Sequence, residues 1–118
     1  MNLGHLIERV VEKTRSGKLA WETTADPNER VATLGGQYVL RLVGPHSEYN
    51  EDGDYSYQVG AELSLETGDG QAVTGVSASA TEEVPNAGRI NDLWEMMRFG
   101  GRSVEEVVDD AARRLEEL

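Results

Sequence analysis

The stretch Tyr55-Ser56-Tyr57-Gln58-Val59-Gly60-Ala61-Glu62-Leu63-Ser64-Leu65-Glu66 decides the fold of this chain. Tyr55, Tyr57, Val59, Ala61, Leu63 and Leu65 alternate with Ser56, Gln58, Gly60, Glu62, Ser64 and Glu66. Successive side chains of a β-strand point to opposite faces, so this period predicts a half-buried strand of an antiparallel meander. Thr67-Gly68-Asp69-Gly70 then turns the chain, and Gln71 to Ala80 returns as an edge strand in which Gly75 marks a bulge or a close backbone approach. Upstream, Gly35-Gly36 is a hairpin signal between Arg30–Leu34 and Gln37–Val43, with Tyr38, Leu40 and Leu42 on one side. Leu19, Trp21 and Thr23 form a further short strand that ends at Asp26-Pro27-Asn28. Residues 44 to 54 collect turn formers without periodicity, and Pro45 blocks continuation of the strand before it, so they read as a surface loop.

Outside this β region the period becomes helical. Leu3, Leu6, Ile7, Val10, Val11 and Thr14 share one stripe between an Asn2 cap and a Gly17 stop, which predicts a helix over 3–16. From Asn86 or Asn91 a short helix carries Ile90, Leu93, Trp94 and Met97 on one stripe and stops at Gly100-Gly101. Ser103 followed by Glu106 is a capping box that opens a last helix, with Val104, Val107, Val108, Ala111 and Leu115 on one face. The expected architecture is one α+β domain over residues 1–118: an N-terminal helix, an antiparallel meander of about five strands, and two C-terminal helices packed on one face of the sheet.

Three segments resemble a family of small uncharacterised bacterial proteins. These are Gly17-Lys18-Leu19-Ala20-Trp21-Glu22-Thr23-Thr24, Ala32-Thr33-Leu34-Gly35 with Tyr38, and Leu93-Trp94-Glu95-Met96-Met97-Arg98 with the amphipathic helix that follows. Members combine a basic N-terminal helix, a "GKLxWE" strand, a β-meander and a C-terminal "LxELYxxARR" helix. Met97-Arg98-Phe99 and the long acidic centre depart from that pattern. The resemblance implies the fold and brings no activity, cofactor or site residue with it.

The charge is regional. The chain of 118 residues has a formal net charge of −11, and residues 44–88 hold Glu48, Glu51, Asp52, Asp54, Glu62, Glu66, Asp69, Glu82 and Glu83 with no Lys or Arg. The first helix is slightly basic through Arg9, Lys13, Arg15 and Lys18. Phosphate recognition draws on Lys and Arg, so direct binding of nucleic acid or an anionic membrane is not expected. The absence of cysteine excludes disulfides, thiolate catalysis and Cys-based zinc sites and suits a reducing compartment. The apolar runs are too short to span a bilayer and the first residues do not read as a signal segment, so a cytoplasmic location is expected.

No motif advertises catalysis. Asn50, Asp52 and Asp54 resemble the opening of a calcium loop, but Tyr55 and Ala61 stand where that loop needs Gly and Glu. His46-Ser47-Glu48 supplies the residue types of a hydrolytic triad without the surrounding elbow, and His5 falls on the polar side of the first helix. Trp21 and Trp94 lie in phase with core positions, whereas Met96, Met97 and Phe99 offer more apolar surface than one stripe requires, suited to a contact patch or a homodimer interface. The expectation is therefore a non-enzymatic acidic interaction domain without cofactor, metal or catalytic residues. Its partner is another protein, met through Glu48, Glu51, Asp52, Asp54, Glu62, Glu66, Asp69, Met96 and Phe99. The alternative is an inhibitor of the phage or mobile-element type, whose carboxylates imitate phosphates and block the basic groove of a nucleic-acid-binding protein. A small hydrolase using His46 or the carboxylates is the third reading.

Overall fold

The computed structural model describes residues 2–99, 102 and 104–118. Helix α1 (Leu3–Arg15) is followed by strands β1 (Glu22–Thr23), β2 (Glu29–Leu34), β3 (Tyr38–Val43), β4 (His46–Tyr49), β5 (Ser56–Val59), β6 (Glu62–Thr67) and β7 (Ala72–Ser77). Helices α2 (Arg89–Arg98) and α3 (Val104–Glu116) complete the chain. The α+β class, the element order and the antiparallel meander are those expected from the sequence. One sheet runs β1-β2-β3-β6-β7, and β4 and β5 pair separately. Among the described residues no helix is long and apolar enough to cross a membrane.

Local chemistry sets the element ends. Asn2 caps α1 by accepting the His5 amide at 2.9 Å, and Lys13 and Arg15 lie in the last turn, where a cation favours the negative helix end. Gly35 and Gly36 both adopt positive φ, 59° and 77°, which the tight β2–β3 turn demands and a side chain would resist. The expected strand at Leu19–Thr23 shortens to two residues, because Trp21 is drawn toward α1, where its indole N–H donates to the Thr14 hydroxyl at 2.9 Å. The bulge on β7 is not at Gly75: the register shifts between Leu65 and Glu66, which pair with Thr74 and Ala72 and leave Val73 as the extra residue.

One cluster of buried side chains joins Ile7 and Val11 of α1, Leu40 and Leu42 of β3, Leu63 of β6, Val76 of β7, and Ile90, Leu93 and Trp94 of α2. Complete burial of each such aliphatic side chain contributes about 1.5–3 kcal/mol. The opposite face of the sheet is uncovered. At its centre Arg41 holds Glu29 at 2.9 Å and Glu66 at 3.2 Å.

Two expectations are corrected. Residues 55–66 are not one strand, and residues 44–54 are not a plain loop. The chain forms one long hairpin whose ladder breaks once, at Gly44-Pro45 opposite Gly60-Ala61. Val43 pairs with Glu62 below the break and His46 with Val59 above it, so the register is unchanged. Pro45 lacks an amide hydrogen, the Gly44 amide donates to the Asn28 carbonyl at 2.9 Å, and the Ala61 amide donates to the Asn91 side chain at 3.1 Å. Those diverted bonds end one sheet and start the next.

Helix α2 packs on the sheet as expected, but α3 contributes no buried residue, and its Val104, Val108 and Leu115 are exposed. The Gly100-Gly101 stop and the Ser103 cap lie outside the described residues. The radius of gyration, 16.1 Å, exceeds the about 13.5 Å of a compact chain of this length, consistent with a projecting hairpin and a projecting last helix.

Gly44 sets the close approach at the break: a Cβ there would lie 2.5 Å from the Trp94 ring and also against the Asn28 side chain. Gly44→Ala is expected to lower stability by about 1–3 kcal/mol through overpacking. At Gly75 a Cβ would meet nothing nearer than 3.7 Å, and Gly75→Ala should stay within about 0.5 kcal/mol. Urea unfolding midpoints check this, and equal midpoints for the two variants would contradict the packing at Gly44.

Candidate functional site

The outer part of the hairpin gathers most of the chemistry-bearing groups. Strand alternation puts His46, Glu48 and Tyr57 on one side of the arm and Ser47, Gln58 and Tyr49 on the other. Glu48 and Tyr57 are direct cross-strand partners, and the phenol donates to the carboxylate at 3.1 Å. His46 Nε2 lies 2.9 Å from the other oxygen of Glu48, and Nδ1 lies 3.0 Å from the Gly44 carbonyl. A carbonyl only accepts, so Nδ1 carries a hydrogen. Nε2 therefore either donates a second proton to Glu48 or faces it with a lone pair.

These contacts shift the titrations in consistent directions. The Gly44 carbonyl first, and the Glu48 carboxylate second, raise the His46 pKa above 6.5. Glu48 is lowered by its hydrogen bonds from His46 and Tyr57, and Tyr57 is raised by the carboxylate it donates to. The His46 contribution to stability is complete below the unfolded histidine value and is lost as pH rises through its higher folded value. The Glu48 contribution is complete above the unfolded value and is lost as pH falls through its lower folded one. The pair thus supports the arm most between those limits.

Glu62 completes the group. In an unbroken ladder residues 59 and 62 point to opposite faces, and so would His46, the partner of Val59, and Glu62. The break removes that opposition. Among the described residues, His46, Glu48 and Glu62 are the one set of three metal-ligating side chains whose ligand atoms all lie within 4.8 Å of one another. Sequence reasoning missed this set, because only the loss of strand phase between Val59 and Glu62 brings it together.

The remaining residues separate. Ser47 faces away from His46 and its hydroxyl accepts from Gln58 at 2.7 Å, so the adjacent triad types do not assemble. Asn50 is used by the turn itself: its side-chain oxygen accepts the Asp54 amide at 2.8 Å, and Gly53 donates to its carbonyl at 3.0 Å. Glu51, Asp52 and Asp54 are exposed around that turn. Glu66 is held by Arg41 on the uncovered sheet face, and Asp69 caps the β6–β7 turn with Thr67. Asp69 is thus about 20 Å from the β5 end of its strand, at the rise of an extended chain.

Met96 is corrected outright. It is 5 % exposed and belongs to the core, while Met97 is only partly buried and Phe99 lies half-buried under the Arg98 guanidinium at 5.3 Å. No contact patch forms from Met96. His5 is exposed as expected, and Trp94 is a core residue.

Comparison with protein-family models, with curated proteins and with solved structures found no match.

The His46 imidazole is expected to titrate by proton NMR with a midpoint above 6.5, and Glu48→Gln should lower it without removing the Gly44 contribution. A wild-type midpoint at or below 6.5 would contradict the hydrogen bonds described.

Proposed function

We propose that this chain is a non-enzymatic interaction domain that engages a basic surface of a protein partner through the arm formed by residues 46–59. The observation that carries the reading is the composition of the exposed arm. Tyr49, Tyr55 and Tyr57 are 73, 62 and 45 % exposed there, beside the exposed Glu51, Asp52 and Asp54. Tyrosine supplies large contact area at low entropic cost and is enriched at binding hot spots. Carboxylates without a neighbouring cation steer a basic partner and fix its orientation. A basic groove of a nucleic-acid-binding protein is one such surface. A long phosphate-like track is less well supported, because Glu66 is paired and Asp69 lies at the far end of the sheet. The activity takes place where proteins meet, and a cytoplasmic location accords with the absence of cysteine.

The test places a photo-crosslinking residue at Tyr55 in the native host, with a second copy of the experiment at exposed His5 as control. A protein with a basic surface should be captured at position 55 and not at position 5. The combined change Glu51→Lys, Asp52→Lys and Asp54→Lys should weaken that capture at least tenfold while the far-UV spectrum and melting temperature are retained. Raised salt should weaken it in wild type. Undiminished capture by the charge-reversed protein, or capture only at position 5, would reject the reading.

A further inference from the structure

We propose that His46, Glu48 and Glu62 form a binding site for a first-row divalent transition ion, of which Zn²⁺ is the best probe. The site does not depend on the partner proposed for the arm. All three ligand atoms lie within 4.8 Å of one another, and they come from both sides of the ladder break: His46 and Glu48 from the arm, Glu62 from the sheet.

Histidine geometry is the first support. A metal-ligating imidazole almost always donates its other N–H to a carbonyl or carboxylate, which fixes the tautomer and orients the ring. Here Nδ1 donates to the Gly44 carbonyl at 3.0 Å, and Nε2 is turned toward Glu48. Glu48 is itself oriented by the Tyr57 hydroxyl. Two of the three ligands, His46 and Glu48, thus already have the supporting hydrogen bonds of a metal site.

Charge is the second. Glu62 is half-buried and makes no hydrogen bond or ion pair with any side chain among the described residues, while the nearby Arg41 is taken by Glu29 and Glu66. Even with His46 protonated, one imidazolium stands against two carboxylates. A divalent ion in place of the Nε2 proton neutralises both, and the proton is released to solvent.

Size is the third. With bonds of about 2.0–2.2 Å, the ligand atoms of a tetrahedral site sit about 3.4 Å apart. The His46–Glu48 pair is at 2.9 Å, and the 4.8 Å limit of the group leaves about 1.4 Å to be closed, within the reach of a glutamate rotamer. One imidazole with two carboxylates suits zinc or manganese better than calcium, which takes six to eight oxygens, and three protein ligands leave a coordination position open to water. Binding would also tie the arm to the sheet across the break.

Tag-free, chelator-treated protein titrated with Zn²⁺ at neutral pH by calorimetry and by ¹⁵N NMR tests the site. One equivalent should bind with a Kd below about 100 µM, release a proton, and shift His46 Nε2 while Nδ1 stays hydrogen-bonded. His46→Gln and Glu62→Gln should each weaken binding at least tenfold, and Asp52→Asn at the tip should leave it unchanged. Should His46→Gln fail to fold by far-UV circular dichroism, Glu62→Gln decides alone. Absence of saturable binding, or equal affinity in a folded ligand variant, would overturn the proposal.

Discussion

The structure depends on the contact between the Gly44 peptide and the Trp94 ring. The ring lies where a Cβ of residue 44 would stand, so α2 can press against the sheet only because that residue has no side chain. Gly44 donates its N–H to the Asn28 backbone carbonyl and accepts at its own carbonyl from the Asn28 side-chain amide and from His46 Nδ1, which satisfies both of its backbone polar groups without the ladder. Arg30 covers the ring from the β2 side, 5.3 Å from its centroid. Helix, sheet and arm therefore meet at one peptide. Pro45 follows it and cannot donate, so the ladder must stop here, and Asn91 of α2 takes the Ala61 amide from the opposite strand.

This arrangement explains what could be read from the residues and what could not. The Gly35-Gly36 turn and the stripe on α1 each produced the element it implied, whereas the alternation of Tyr55 through Glu66 produced two strands, β5 and β6, in place of the one it implied. The break is invisible to a period, because apolar and polar positions alternate through Gly60 as if nothing happened there. What changes is the partner: Leu63 meets the core, whereas Tyr55 and Tyr57 meet solvent. A period of two identifies a face and is silent on what covers it. The same limit applies to α3, whose apolar stripe is as clear as that of α1 and yet buries nothing. On α2 the expected stripe holds, with Ile90, Leu93 and Trp94 buried and Met97 packed partly buried against the core, but Met96, about 100° from Met97 around the helix, turns inward as well.

Charge shows a comparable refinement. The acidic block of residues 44–88 is continuous in sequence but not in space. Glu66 is held by Arg41, Glu48 by His46 and Tyr57, and Asp69 closes a turn. Subtracting those leaves the acids of the arm tip, Glu62, and the exposed Glu82 and Glu83 between β7 and α2 as the carboxylates of this block with no such partner among the described residues. Arg41 could not have been assigned to Glu66 from spacing, since the two are neighbours only through the β3–β6 register. The histidine could not have been assigned to Glu62 either, because regular strand phase places them on opposite sides.

An arm so exposed has little apolar burial to hold it, and an isolated two-stranded hairpin is marginal in water. Its persistence has to come from elsewhere. The unchanged register across the break means that the β3–β6 ladder, anchored by Leu40, Leu42 and Leu63 in the core, already dictates how β4 and β5 must pair. Loop closure is then short, because the strands arrive side by side and only the turn at Asn50–Asp54 remains to be ordered. That turn is tied by its own asparagine through backbone and side chain. The His46–Glu48–Tyr57 chain fixes one face, and the Ser47–Gln58 bond fixes the other. Much of the ordering cost of the tip is thus met during folding, so tyrosines and carboxylates can be displayed to solvent without the entropic penalty that a disordered acidic loop would carry into a complex.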